Sequence, residues 1–268
     1  TVTKQNYYRY EGDVMVIPAT GPYVVPNAIT INDGSGNGNG IMETSESIFA
    51  SITVENIGVE DATNVWVTIA TADTYVTITD NTESYGTLLA GTTAVVADGF
   101  SWDVSNNIPD LHNVIFEMTA TDGTTSWSSN FSIVGHAPLI EFGTMLIDDY
   151  IGNFNGRLDP GETAYLIIPT YNNGSYNAVN AMGSLSCSSG FITLNNSTYN
   201  FYDIGAGIME EGLFSITVSA NAPAGTYVEF LYEATSGGYY NQEIYPTIIS
   251  MVVEAWETGD MSMFDWTT

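Results

Sequence analysis

Two stretches of the sequence carry oxygen-donor side chains at a spacing that suits a hard cation. The first reads Asp33-Gly34-Ser35-Gly36-Asn37-Gly38-Asn39-Gly40-Ile41-Met42-Glu43-Thr44-Ser45-Glu46. The second reads Asp149-Tyr150-Ile151-Gly152-Asn153-Phe154-Asn155-Gly156-Arg157-Leu158-Asp159-Pro160-Gly161-Glu162. Calcium takes about six to eight oxygen ligands from a loop that turns sharply around the ion, and in an EF-hand loop these stand at positions 1, 3, 5, 7, 9 and 12, with glycine at 6. On that frame Asn37 and Asn153 take position 3, Asn39 and Asn155 position 5, and Gly40 and Gly156 position 6. The backbone carbonyls of Ile41 and Arg157 take position 7, Glu43 and Asp159 position 9, and Glu46 and Glu162 position 12. Position 1 departs from the frame, because Ser35 and Ile151 stand there. Asp33 or Asp149, two residues earlier, is the natural substitute, with Asp148 as a supplement in the second run. These thirteen residues are the expected metal ligands, and Ca2+ is the expected ion.

The competing reading is an Asn/Gly-rich turn of ordinary kind. Two copies with carboxylates at matching spacing favour calcium. The glycines of the first run would also suit a mobile turn, so the second run is the better match. Magnesium prefers fewer protein ligands and a stricter octahedron. Zinc would want Cys or His, and none lies nearby.

Other chemistry is sparse. His112 and His136 are the only histidines and sit in no nucleophile or zinc motif. Cys187 is the single cysteine, within a small-residue strand pattern, which reads as an inert thiol and rules out an intrachain disulfide. A dyad of Cys187 with either histidine has no local support. Paired carboxylates are expected by chance in so acidic a chain, so they give no glycosidase signal. The glycine-rich run 34–40 lacks the Lys-Ser/Thr of a phosphate loop. The expectation is a chain that is not an enzyme.

The charge is lopsided: 3 Lys+Arg face 31 Asp+Glu, a formal net charge of −28 over 268 residues. Such a surface repels phosphate backbones and anionic headgroups, which argues against nucleic-acid and membrane-surface partners. It suits divalent cations or a salty milieu. No apolar run reaches the ~18 residues of a membrane span. No signal-peptide pattern opens the chain, which reads as mature or truncated.

The elements that must position the loops follow from a repeat. A shift of 116 lays Asp33 on Asp149, Gly36 on Gly152, Asn37 on Asn153, Gly40 on Gly156, Glu46 on Glu162, Asn56 on Asn172 and Gly58 on Gly174. Further on the shift drifts to 114, laying Pro109 on Pro223, Phe116 on Phe230 and Ala120 on Ala234. Alternating or β-rich runs at 48–54, 64–70, 75–79, 93–97, 113–120 and 125–133 recur at 164–170, 178–186, 191–194, 212–219, 226–234 and 242–253. About seven short strands per copy predict an all-β chain of two tandem immunoglobulin-like antiparallel β-sandwich domains. The expected division is 1–22 as an N-terminal segment, 23–136 and 137–253 as the sandwiches, and 254–268 as the start of a further module or a tail. His136-Ala137-Pro138 marks the joint. Trp66 and Trp102 read as core or half-exposed sheet residues, with a sugar-stacking platform as the alternative.

The second loop with its Asn172-Asn173-Gly174 turn resembles the Ig-like modules of large secreted Bacteroidota surface proteins, of the gingipain-like peptidase and cleaved-adhesin type. Residues 256–266 resemble the opening strand of the cleaved-adhesin module, and 7–13 are weakly similar to the end of the peptidase domain. The resemblance implies type IX secretion, an extracellular or cell-surface location, and neighbouring domains of the same polypeptide as partners. It implies a spacer or adhesion module, with a host or cell-surface protein or glycan as a further partner class. The alternatives are an accessory region of a gingipain-like cysteine peptidase and a carbohydrate-binding module.

Overall fold

A computed structural model describes residues 20–250. The segments at 7–13 and 256–266, and the last residues of the strand expected at 242–253, lie outside the described residues. Among those described, all regular structure is β-strand, and no helix is long and apolar enough to cross a membrane. The chain divides into two compact units, the second beginning at His136, the last residue of the strand that closes the first, and also taking Pro109–Leu111.

The first unit holds β1 (Val24–Asn32), β2 (Met42–Glu43), β3 (Ser47–Asn56), β4 (Ala62–Ala70), β5 (Val76–Asp80), β6 (Thr82–Leu88), β7 (Thr93–Val104), β8 (His112–Thr121) and β9 (Ser126–His136). They form two sheets ordered β1-β3-β7-β5 and β2-β9-β8-β4-β6, antiparallel along β1-β3-β7-β5 and along β9-β8-β4-β6. Period-2 alternation decides which side faces in. On β3, Ile48, Ala50, Ile52 and Val54 are fully buried. Val65, Val67 and Ile69 of β4, and Val114, Phe116 and Met118 of β8, are likewise fully buried. Trp102 of β7 packs on Phe116 of β8 with ring centroids 4.9 Å apart, joining the two sheets. The Tyr85 hydroxyl on β6 donates to the Ile52 carbonyl on β3 at 2.6 Å. Trp102 is thus core, whereas Trp66 is 44% exposed.

The second unit holds β10 (Ile140–Phe142), β11 (Leu146–Asp148), β12 (Thr163–Asn172), β13 (Ala178–Cys187), β14 (Ile192–Leu194), β15 (Thr198–Ile204), β16 (Met209–Val218), β17 (Thr226–Ser236) and β18 (Tyr239–Ile249). Its sheets run β10-β12-β16-β14, with β11 also on β12, and β15-β13-β17-β18. This is the strand order of the first unit over again except for β2, in whose place Leu158 makes an isolated parallel bridge to Ile249 of β18. Leu166, Ile168, Phe214, Ile216, Phe230 and Tyr232 centre its core. Tyr232 is completely buried and shares a 2.7 Å hydrogen bond with Thr170 across the sheets.

The backbone repeats as closely as the sequence. Left-handed φ values recur 116 positions apart at Gly38 and Phe154, Gly40 and Gly156, Ser45 and Gly161, Asn64 and Asn180, and Gly86 and Tyr202. The drift to 114 has a local cause. Along β3–β7 the paired residue numbers sum to 148 at Ile52↔Val96 and to 150 at Ala50↔Phe100, whereas β12–β16 runs unbroken. Two extra residues sit in a bulge of β7, where Asp98 adopts φ 51° and its N–H bonds Ser51 Oγ at 2.9 Å.

Candidate functional site: two acidic loops

Each loop leads into the central strand of its unit's first sheet, the first into β3 and the second, leaving β11, into β12. Both are held by the same bonds. Asp33, only 2% exposed, accepts the N–H of Asn39 at 3.0 Å and of Gly40 at 2.9 Å. Asp149, 4% exposed, accepts the N–H of Asn155 at 2.7 Å and of Gly156 at 3.2 Å. Burial alone would raise the Asp33 carboxyl, but these N–H donors outweigh it and hold it below its ordinary value. The acid two residues ahead of the expected position 1 therefore organises each loop.

The asparagines reach the position-9 acids. Asn37 Nδ2 and Asn39 Nδ2 donate to Glu43 at 2.6 and 2.9 Å. Asn153 Nδ2 and Asn155 Nδ2 donate to Asp159 at 2.8 and 2.7 Å, and these bonds keep the Asp159 carboxyl low. Asn39 Oδ1 accepts the Ile41 N–H at 2.7 Å and Asn155 Oδ1 the Arg157 N–H at 2.8 Å. The terminal glutamates close the loops: Glu46 Oε2 accepts the Glu43 N–H and Glu162 Oε2 the Asp159 N–H, each at 3.0 Å.

Asp148 stands differently, at the end of β11, with Oδ1 accepting the Tyr150 N–H at 3.1 Å. Gly36 and Gly152, repeated in sequence but given no role there, prove to be part of the site. A Cβ at Gly36 would lie 2.1 Å from Glu46 Oε1, and one at Gly152 would lie 1.6 Å from Glu162 Oε1. The signal in the sequence was the glycine itself, fixed at one place in both loops.

Glu46 is the anomaly. It is 8% exposed and its Oε1 is buried with no hydrogen-bond partner. Burial, then the charges of Glu43 and Asp33, push its carboxyl up to about 7. Among the described residues no group of three or more His, Cys, Asp or Glu side chains stands ready to hold a metal ion. The loop oxygens face the backbone and the Asn amides instead, so a cation would need Asn37, Asn39, Asn153 and Asn155 to rotate their amides and present Oδ1. The donor set of carboxylates, amides and carbonyls is otherwise that of a hard cation.

Away from the loops, His112 Nε2 meets Asp73 Oδ2 at 2.7 Å and His136 Nδ1 meets Ser175 Oγ at 2.7 Å. Cys187 is partly buried at the end of β13, and that burial raises its thiol, which lowers its reactivity.

No protein family matches the chain, and no curated relative does. Among solved structures, one match is a protein of unknown function from Porphyromonas gingivalis W83, a member of the Bacteroidota. It is 13% identical, with a TM-score of 0.25, over 79% of this chain and 94% of that one. Another is the native conformation of E. coli alpha-2-macroglobulin, 10% identical with a TM-score of 0.32, over 86% of this chain and 17% of that one.

Proposed function

We propose that the chain is a non-catalytic, calcium-binding region of two tandem immunoglobulin-like β-sandwich domains, 23–136 and 137–253, serving as a spacer or adhesion module of a secreted cell-surface protein. The observation that carries the reading is the loop pair. Two loops 116 positions apart gather an organising Asp, two Asn, a position-9 acid and a closing Glu, and the first leaves a buried Glu46 oxygen unpaired. A buried acceptor without a donor costs about 1–3 kcal/mol, more when charged, and a cation placed against it removes that cost. In each loop the organising Asp, the rotated Asn Oδ1 atoms, the carbonyl of Ile41 or Arg157, the position-9 acid Glu43 or Asp159, and the closing Glu would supply the oxygens, with Asp148 as a supplement in the second. A protein with one cysteine has no disulfide to fix such loops, and an ion takes that role. The net charge of −28 favours a cation-rich exterior and disfavours nucleic acid and anionic lipid. Neighbouring domains of the same polypeptide are the partners this reading requires.

The test is thermal. A ligand that binds only the folded state stabilises it by about 2.7 kcal/mol at a hundredfold excess over Kd. Millimolar calcium is expected to raise the melting temperature by several degrees and chelator to reverse it. A melting curve indifferent to both sinks the calcium reading.

A further inference from the structure

The two loops share one backbone but not one electrostatic state. In the second, Glu162 Oε1 accepts the Asn153 N–H at 3.3 Å. In the first, the Asn37 N–H acts on the Glu46 carboxyl from the matching position, but Oε1 is buried with no partner within hydrogen-bond distance. This side chain is more than nine-tenths buried and packs on Gly36, so its unpaired oxygen is aimed into the turn. The position-9 acids differ as well: Glu43 is 4% exposed, whereas Asp159 is only partly buried beside an open cleft of about 410 Å3 lined by Asn153, Asp159 and Glu162. At position 7 the first loop has Ile41 and the second has Arg157, whose positive charge acts on Asp159.

We infer that the first loop is the high-affinity cation site and fills before the second. The inference rests on the calcium reading above. The acids at Asp33 and Glu43 crowd the buried Glu46 side chain with like charge, and such repulsion is strongest where water is excluded. An arriving ion relieves it and satisfies Glu46 Oε1, which has no hydrogen bond to give up, while in both loops the Asn amides turn away from the position-9 acid. In the second loop Glu162 Oε1 already receives the Asn153 N–H, and the ion competes with the guanidinium of Arg157 and with solvent in the cleft. The order is the reverse of what the glycine content of the first loop suggests.

Calcium titration of the full chain by calorimetry tests the order. Two ions are expected, the tighter by roughly tenfold or more. Glu46→Gln should abolish the tight step and Glu162→Gln the weak one, with chelator melting curves confirming that each variant folds. Arg157→Ile, which gives the second loop the residue of the first at an exposed position, should strengthen the weak step and leave the tight one unchanged. Equal steps, loss of the tight step with Glu162→Gln, or a weak step indifferent to Arg157→Ile overturns the ranking and leaves the calcium reading standing. Absence of any binding to the wild type overturns the calcium reading itself.

Discussion

At the scale of single residues, Gly36 and Gly152 separate the shape of the loops from their ligand count. A methyl group at either position collides with the closing glutamate, at 2.1 Å from Glu46 Oε1 or 1.6 Å from Glu162 Oε1. Gly36→Ala and Gly152→Ala are therefore expected to displace one glutamate each and weaken calcium at their own loop only. Both variants keep every ligand, so calorimetry showing unchanged binding to either would remove the glutamate from the coordination scheme. A second residue-scale prediction concerns acid. Burial raises the Asp73 carboxyl, but the Tyr75 N–H at 2.9 Å and His112 outweigh it, so its folded value lies below the unfolded one. Its stabilising contribution is then complete above about pH 4 and is lost as pH falls through the depressed folded value. Melting temperatures between pH 5 and 2 should fall less steeply in Asp73→Asn than in wild type, and parallel curves would show that the pair adds nothing.

At the scale of elements, Asn56 and Asn172 are the fully buried pins at the ends of β3 and β12. Asn56 Nδ2 donates to the carbonyls of Glu60 and Leu88, and Oδ1 accepts the N–H groups of Tyr23 and Gly58. Asn172 repeats all four bonds, with Tyr176, Ile204, Leu139 and Gly174. Alanine at either position strands four backbone groups, and a loss on the order of 2–4 kcal/mol is expected in chemical denaturation. A loss below about 0.5 kcal/mol would mean that water replaces the side chain. The sequence marks both asparagines as turn residues, because spacing alone cannot tell a turn from a buried pin. Central strands such as β3, β8, β12 and β17 were legible because one whole face is buried and alternation follows. The strands β1, β6, β10, β11 and β15 were not. They lie at sheet edges and bury few side chains, as with Tyr85 and Leu88 on β6, so no period emerges. The loops stood out because Asp, Asn, Gly and Glu recur in them at the same spacing 116 positions apart. The Gly36–Glu46 contact was hidden because it depends on how the loop folds back.

At the scale of the whole molecule, charge sets a background against which any specific ion must be measured. With 31 acidic and 3 basic residues the folded chain repels itself, and any salt screens that repulsion. Sodium chloride should therefore raise the melting temperature gradually, without saturation in the millimolar range. A cation bound in the loops behaves differently, because its effect grows with the logarithm of its concentration above Kd and does not depend on ionic strength alone. Magnesium provides the discriminating control, since it carries the same charge into the ionic atmosphere but keeps its water and demands a tight octahedron. Melting at matched ionic strength in sodium, magnesium and calcium chloride is expected to separate the three, with calcium well above magnesium and magnesium slightly above sodium. The calcium increment should vanish in the double variant Glu46→Gln, Glu162→Gln, while the sodium dependence stays. Coincident magnesium and calcium curves in the wild type would assign the stabilisation to the acidic surface as a whole and leave the loops as turns.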